Sequence, residues 1–193
     1  MANFNKSYEL MLGFEFNNPK NALHKNPTEQ GLTFMGIYEI AHPSWAGWLI
    51  VKDMLRKLSD IKEASTMLYQ DKRLKELVAK FYKTNFWDKI RGDEITSQHI
   101  ADEIFIFGVN VGAKQAIKTA QRVLKQLEGA ATDGLAIDGI VGAQTLAAIN
   151  RCDVNKFDKA YDSAEIAYYN TIIQASPSLR IYAKGWRNRA ERV

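Results

Sequence analysis

The sequence predicts a mainly α chain, a helical bundle with one small β-hairpin. Two observations predict it. Apolar residues recur at helical spacing almost without a break after Pro43, and only residues 31–38, a Thr, Phe, Ile and Tyr mixture between two glycines, read as extended. With 193 residues, 46% of them hydrophobic, the chain is long enough to bury a core as one domain, or as two small ones sharing an interface. Its single cysteine, Cys152, allows no intrachain disulfide, so packing alone must hold that core.

Taken in order, Tyr8 to Phe14 carries the pattern of one helix, ending near Gly13 or Glu15 because Asn17, Asn18 and Pro19 follow at once. Residues 17–33 are rich in Asn, Pro, Lys and Gly and too long for a mere connection, which marks a working loop. The hairpin at 31–38 comes next. Helices are then expected at Trp48 to Leu58 and at Asp71 to Phe86, where Leu74, Leu77, Val78, Phe81 and Tyr82 share a face. Another starts at a cap on Thr96 or Ser97 and turns Ile100, Ile104 and Phe107 inward. Gly112 to Leu127 follows, stopped by Gly129. Thr132 to Gly142 is dense in Gly and Asp turn signals; short of an EF-hand's alternating acids and closing glutamate, it reads as a turn. Thr145 to Asn150 and Val154 to Ile173 are helical, and an aromatic, basic segment from Tyr182 to Arg192 closes the chain.

The formal charge of +4 favours approach to an anionic polymer, whether cell wall, lipid or nucleic acid, without choosing among them. The basic tail comes with no helix-turn-helix or zinc-finger pattern, so nucleic acid is not an expected partner. No apolar run approaches the ~20 residues that span a bilayer, and Met1 to Phe16 has neither a basic start nor a cleavage site. Stable membrane insertion is therefore not expected. His24, His42, His99 and Cys152 match no common zinc spacing, so neither metal nor cofactor is expected.

Two carboxyls flank the long loop. Glu15 falls near a helix C-terminus, where the dipole disfavours the ionised form by up to ~1 kcal/mol and burial would act in the same direction. Glu29 lies at the far end of the loop, close to Thr33. An acid kept protonated and a second group that positions water or stabilises a cation are what glycoside hydrolysis requires. His24 sits inside the loop, and Tyr38, Trp45 and Trp48 follow it closely enough to offer flat faces to sugar rings, although core packing is the commoner use of such residues.

The run Glu15-Phe16-Asn17-Asn18-Pro19, followed by Asn26-Pro27, Gly31-Leu32-Thr33 and Gly36-Ile37, resembles the opening of glycoside hydrolase family 108. The second half, with Asn110 and Gly112, Ala116 and Gln121, Asp138 to Gly142, Thr145, Asn150, Tyr168 and Gly185 to Arg189, is similar to the peptidoglycan domain that follows the catalytic segment in that family. The resemblance implies a lysozyme-like α+β fold, with the hairpin beside a catalytic cleft. It divides the chain into a catalytic segment (1–108) and a helical peptidoglycan-binding segment (109–193), packed as one unit.

As activity it implies an N-acetylmuramidase that cuts β-1,4 links between N-acetylmuramic acid and N-acetylglucosamine. Glu15 becomes the catalytic acid, Thr33 a residue that positions water or substrate, and Glu29 the second acid; His24, Tyr38, Trp45, Trp48 and Asn110 become substrate contacts. Retaining and inverting mechanisms differ in carboxyl separation, which sequence does not supply, so both stay open, with inversion or a water held by Thr33 the favoured reading. The sequence departs from the family pattern in having Phe16 and Asn17 where two glycines follow the glutamate. Thr28-Glu29-Gln30-Gly31 replaces Asp-Pro-Gly-Gly, leaving Glu29 one position from the usual acid. The expected protein is thus a monomeric endolysin of the kind phages use, made in the cytoplasm and released to the wall through a membrane hole opened by another protein. The alternative is a non-catalytic wall-binding or secretion-associated protein with the same fold.

Overall fold

The computed structural model describes residues 1–16, 18–26 and 30–193, apart from the side chains of Glu15 and Ala130. It is mainly α, with one small antiparallel sheet, as the sequence predicts. The chain divides into two compact units, Met11–Tyr82 and Met1–Leu10 with Lys83–Val193.

The Met11–Tyr82 unit takes in the last turn and a half of α1 (Phe4–Glu15). A 3₁₀ turn at Pro19–Asn21 leads into β1 (Leu23–His24), β2 (Thr33–Phe34) and β3 (Ile37–Tyr38), in the order β1-β2-β3. The expected hairpin is therefore β2–β3, and a third strand joins it. The register is Leu23 opposite Phe34 and His24 opposite Thr33, then Phe34 opposite Ile37 and Thr33 opposite Tyr38. Because side chains alternate along a strand, this register sorts the sheet into two rows. Leu23, Phe34 and Ile37 form a fully buried apolar row, and His24, Thr33 and Tyr38 line the other face.

The β2–β3 turn explains the Gly-Ile motif. Met35 and Gly36 both have positive φ, 44° and 76°, the pair of values a two-residue hairpin turn with the correct twist requires. A Cβ on Gly36 would also lie 2.5 Å from the Tyr82 hydroxyl, which donates to the Met35 carbonyl at 2.8 Å.

Behind the sheet stand α2 (Gly47–Lys57), α3 (Ile61–Gln70) and α4 (Lys72–Tyr82). Helix α3 is an element the sequence pattern does not announce. Asp60 caps it by accepting from the Lys62 amide, and it carries Ser65, buried among apolar groups, against the loop. The Ser65 hydroxyl donates to the Pro19 carbonyl at 2.6 Å and accepts from the Leu23 amide at 2.9 Å. The long loop is thus fastened to a helix at two backbone points. The helix expected over 71–86 ends at Tyr82 and continues as a π turn, Lys83–Trp87.

The other unit is built around α5 (Gln98–Val111). Ser97 caps it, and every residue from Ile100 to Gly108 is buried, the mark of a helix surrounded on all sides. Helices α6 (Ala113–Glu128) and α8 (Val154–Ala175) pack on it, with α7 (Ala143–Arg151) and α9 (Ala183–Ala190) outside. Trp87 is fully buried, and its indole N–H donates to Asp93. Among the described residues, no helix is long and apolar enough to cross a membrane.

Candidate active site

Helix α1 places Glu15 as its last helical residue, where the dipole argument needs it. The side chain of Glu15, and all of Glu29, lie outside the described residues. What surrounds the helix end is described. The Phe16 ring reaches within 3.5 Å of where a Cβ on Gly36 would stand, and the Phe16 carbonyl accepts from the Tyr69 hydroxyl of α3 at 3.4 Å. The end of α1 therefore abuts the hairpin turn whose strands carry Thr33 and Tyr38.

The structure brings His24, Thr33 and Tyr38 together. As direct cross-strand partners they form one row, with Cβ atoms of neighbours about 5 Å apart. Thr33 is buried, while His24 and Tyr38 are half-buried. His24 Nδ1 lies 3.0 Å from the Asn21 carbonyl, and since a carbonyl only accepts, Nδ1 carries the hydrogen. In the neutral ring Nε2 is then left with its lone pair for a ligand.

The tryptophans sit elsewhere. Trp48 is 3% exposed, with its N–H donating to the His42 carbonyl at 2.9 Å. Trp45 is half-buried, stacks on Phe34 of the apolar row at 6.3 Å and meets Trp48 edge-on at 5.2 Å. Both rings are engaged in packing on the opposite face of the sheet from His24, Thr33 and Tyr38. Asn110 belongs to the other unit, exposed near the end of α5 and beside the Tyr169 hydroxyl.

Glu39 is a further acid near the row. Its carboxylate pairs with Lys52 at 2.7 Å and accepts from the Leu32 amide at 3.1 Å, which together hold it below the usual carboxylate range. Alternation places it on the face away from Thr33, so it clasps the open end of the hairpin rather than joining the row.

The second unit contains acids that the sequence reading passed over. Glu103 on α5 is 1% exposed and Glu165 on α8 is 4% exposed. Burial, and then the neighbouring carboxyls, push Glu103 up to about 10; burial and Asp162 push Glu165 up to about 9. Asp162 rises to about 6 by burial and then by the charge of Asp158. His99 Nε2 meets Asp158 at 2.7 Å. The one signal in sequence is Glu103 itself, set in the otherwise almost unbroken apolar run that makes α5 a central helix.

The glycine-rich segment from Asp133 to Gly142 is a turn held by Gln121. Its side-chain oxygen accepts from the Gly139 amide at 2.9 Å, and its amide donates to Asp138 and to the Ile140 carbonyl, each at 3.0 Å. Asn150 bridges to the chain at 94–96 in a similar way, accepting from the Thr96 amide and donating to the Glu94 carbonyl. These motif residues hold turns and helix contacts in place.

Residues 23–112 match the model of the Glycosyl hydrolase 108 family, a match that begins downstream of Glu15, and residues 115–191 match that of the Predicted Peptidoglycan domain. No curated protein matches the sequence. Among solved structures, SagA of Brucella abortus is similar, at 21% identity and a TM-score of 0.62, over 98% of this chain and 90% of that one, a likeness of fold. Residues 23–112 are thus similar to the Glycosyl hydrolase 108 family, and the segment that follows, 115–191, is similar to the Predicted Peptidoglycan domain.

Proposed function

We propose that the chain is an N-acetylmuramidase that hydrolyses the glycan strand of peptidoglycan, with Glu15 as the general acid. The observation that carries the reading is the position of Glu15 at the C-terminal end of α1, beside a hairpin whose polar row is His24, Thr33 and Tyr38. It sits in a chain whose two halves match a glycosyl hydrolase family and a peptidoglycan domain. Glu15 protonates the departing sugar oxygen. Thr33 holds the attacking water or an N-acetyl group, the Tyr38 ring offers a sugar a flat apolar face, and His24 Nε2 accepts from a sugar hydroxyl. Glu29, one step from the family's usual acid position, activates the water in an inverting reaction. Asn110 contributes to binding the strand. The protein acts as a monomer at the wall, in the manner of an endolysin, reaching it through an opening made by another protein.

The test is the chemistry of the new chain ends. Purified peptidoglycan digested with the protein and analysed by mass spectrometry should yield fragments with a reducing N-acetylmuramic acid end. Anhydro ends would mean that the sugar's own C6 hydroxyl replaces water and would overturn hydrolysis. Absence of products with retained sedimentation on the wall would replace the enzyme by a binding module.

A further inference from the structure

We propose that His99, Glu103 and Asp158 form a binding site for a divalent transition-metal ion of the Zn²⁺ kind. His99 and Glu103 stand four residues apart on one face of α5, and Asp158 faces them from α8 within the same compact unit. Each offers one ligand atom, and these atoms all lie within 4.8 Å of one another.

The observation that points to a ligand is Glu103. It is 1% exposed, and neither carboxylate oxygen has a hydrogen-bond partner among the described residues. Protonation alone does not resolve this, because a neutral carboxyl still brings an O–H donor and a carbonyl acceptor that need partners. Its charged neighbours are mostly more acids, Asp102, Asp158, Asp162 and Glu165, which disfavour the carboxylate further. A cation bound between α5 and α8 supplies both the missing partner and the missing positive charge.

The donor set indicates the class of ion. One imidazole with carboxylates suits Zn²⁺ and its first-row neighbours better than Mg²⁺, which prefers oxygen alone. Two ligands at about 2.1 Å from one ion lie at most about 4.2 Å apart, so the 4.8 Å cluster closes by a small side-chain rotation. The ion displaces the direct His99–Asp158 hydrogen bond. Both of these side chains are about a third exposed, 36% and 31%, which leaves an entry path. His99 and Glu103 lie in the glycosyl hydrolase match and Asp158 in the peptidoglycan-domain match, so the ion would staple the two matched segments together.

The experiment is calorimetric titration of the chelator-stripped full chain with Zn²⁺, alongside His99→Ala and Asp158→Asn. Their partial exposure leaves the fold intact, to be checked by circular dichroism. Wild type should take up one ion per chain with a rise in melting temperature, and either substitution should weaken binding at least ~10-fold and abolish the thermal shift. Co²⁺ in place of Zn²⁺ should give a visible spectrum that changes in His99→Ala. Failure of the wild type to bind Zn²⁺, or binding equal to wild type in both variants, would overturn the site. Neither outcome depends on activity against peptidoglycan.

Discussion

Thr33 and His24 show how much a single residue's chemistry depends on its register. Thr33 is named by its place in a Gly-x-Thr motif, but its setting comes from the pairing that puts it between His24 and Tyr38 on the polar face. Thr33→Val keeps the shape and removes the hydroxyl. It should cost about tenfold in activity, one ordinary hydrogen bond, with an unchanged melting temperature; a stability loss with full activity would make Thr33 a packing residue. Trp45 and Trp48 carry a lesson at the same scale. Their proximity in sequence to the loop suggests a groove, whereas the structure uses their rings behind the sheet, because large apolar area gains more from burial than from exposure. Asp93 supplies the pH dependence. The Trp87 N–H, and then Lys83, hold its carboxyl below the ordinary 3.8. A group depressed in the folded state stabilises fully above its unfolded pKa and loses that stabilisation as pH falls through the folded value. The stability gap between wild type and Asp93→Asn should be constant above about pH 4.5 and narrow below it, as followed by urea melts. A gap unchanged down to pH 2 would contradict the assignment.

At the scale of elements, most of the helices were legible, since their apolar residues recur at helical spacing and their ends carry caps such as Ser97 and Asp153. Helix α3 was not, and the reason is its buried face. Ala64, Ser65 and Leu68 make it, so two of three buried positions are small or polar and the periodic signal is faint. That helix nevertheless fastens the long loop through Ser65. Ser65→Ala removes two hydrogen bonds at buried groups and should lower stability by ~2 kcal/mol, with the loop opening first in amide hydrogen exchange at Leu23. The hairpin turn is equally specific. Gly36→Ala places a side chain at positive φ against Tyr82, for about 1–2 kcal/mol of backbone cost and roughly 1 more if the Tyr82 hydrogen bond is lost. A melt unchanged from wild type would show that the turn relaxes.

For the whole molecule, the family resemblance read from motifs agrees with both matched segments, but the motifs do two kinds of work. Among the described residues, Thr33 of the first half stands in the polar row and Gly36 in the turn beside it, and those of the second half, Gln121, Gly139 and Asn150, hold turns and helix contacts in place. The acids between α5 and α8 stayed hidden because pairing Glu103 with Asp158 requires two helices 55 residues apart in sequence to meet, which no local period encodes. The central claim is that Glu15 is the acid of a glycan hydrolase, and substitution of that one side chain tests it most directly. Clearing of a purified peptidoglycan suspension should be measured with wild type and Glu15→Gln at equal concentration, both shown to be folded. A loss of ~100-fold or more in Glu15→Gln is the expected result, the size of a missing general acid. Equal clearing by both proteins would contradict the account and move the chemistry to another residue.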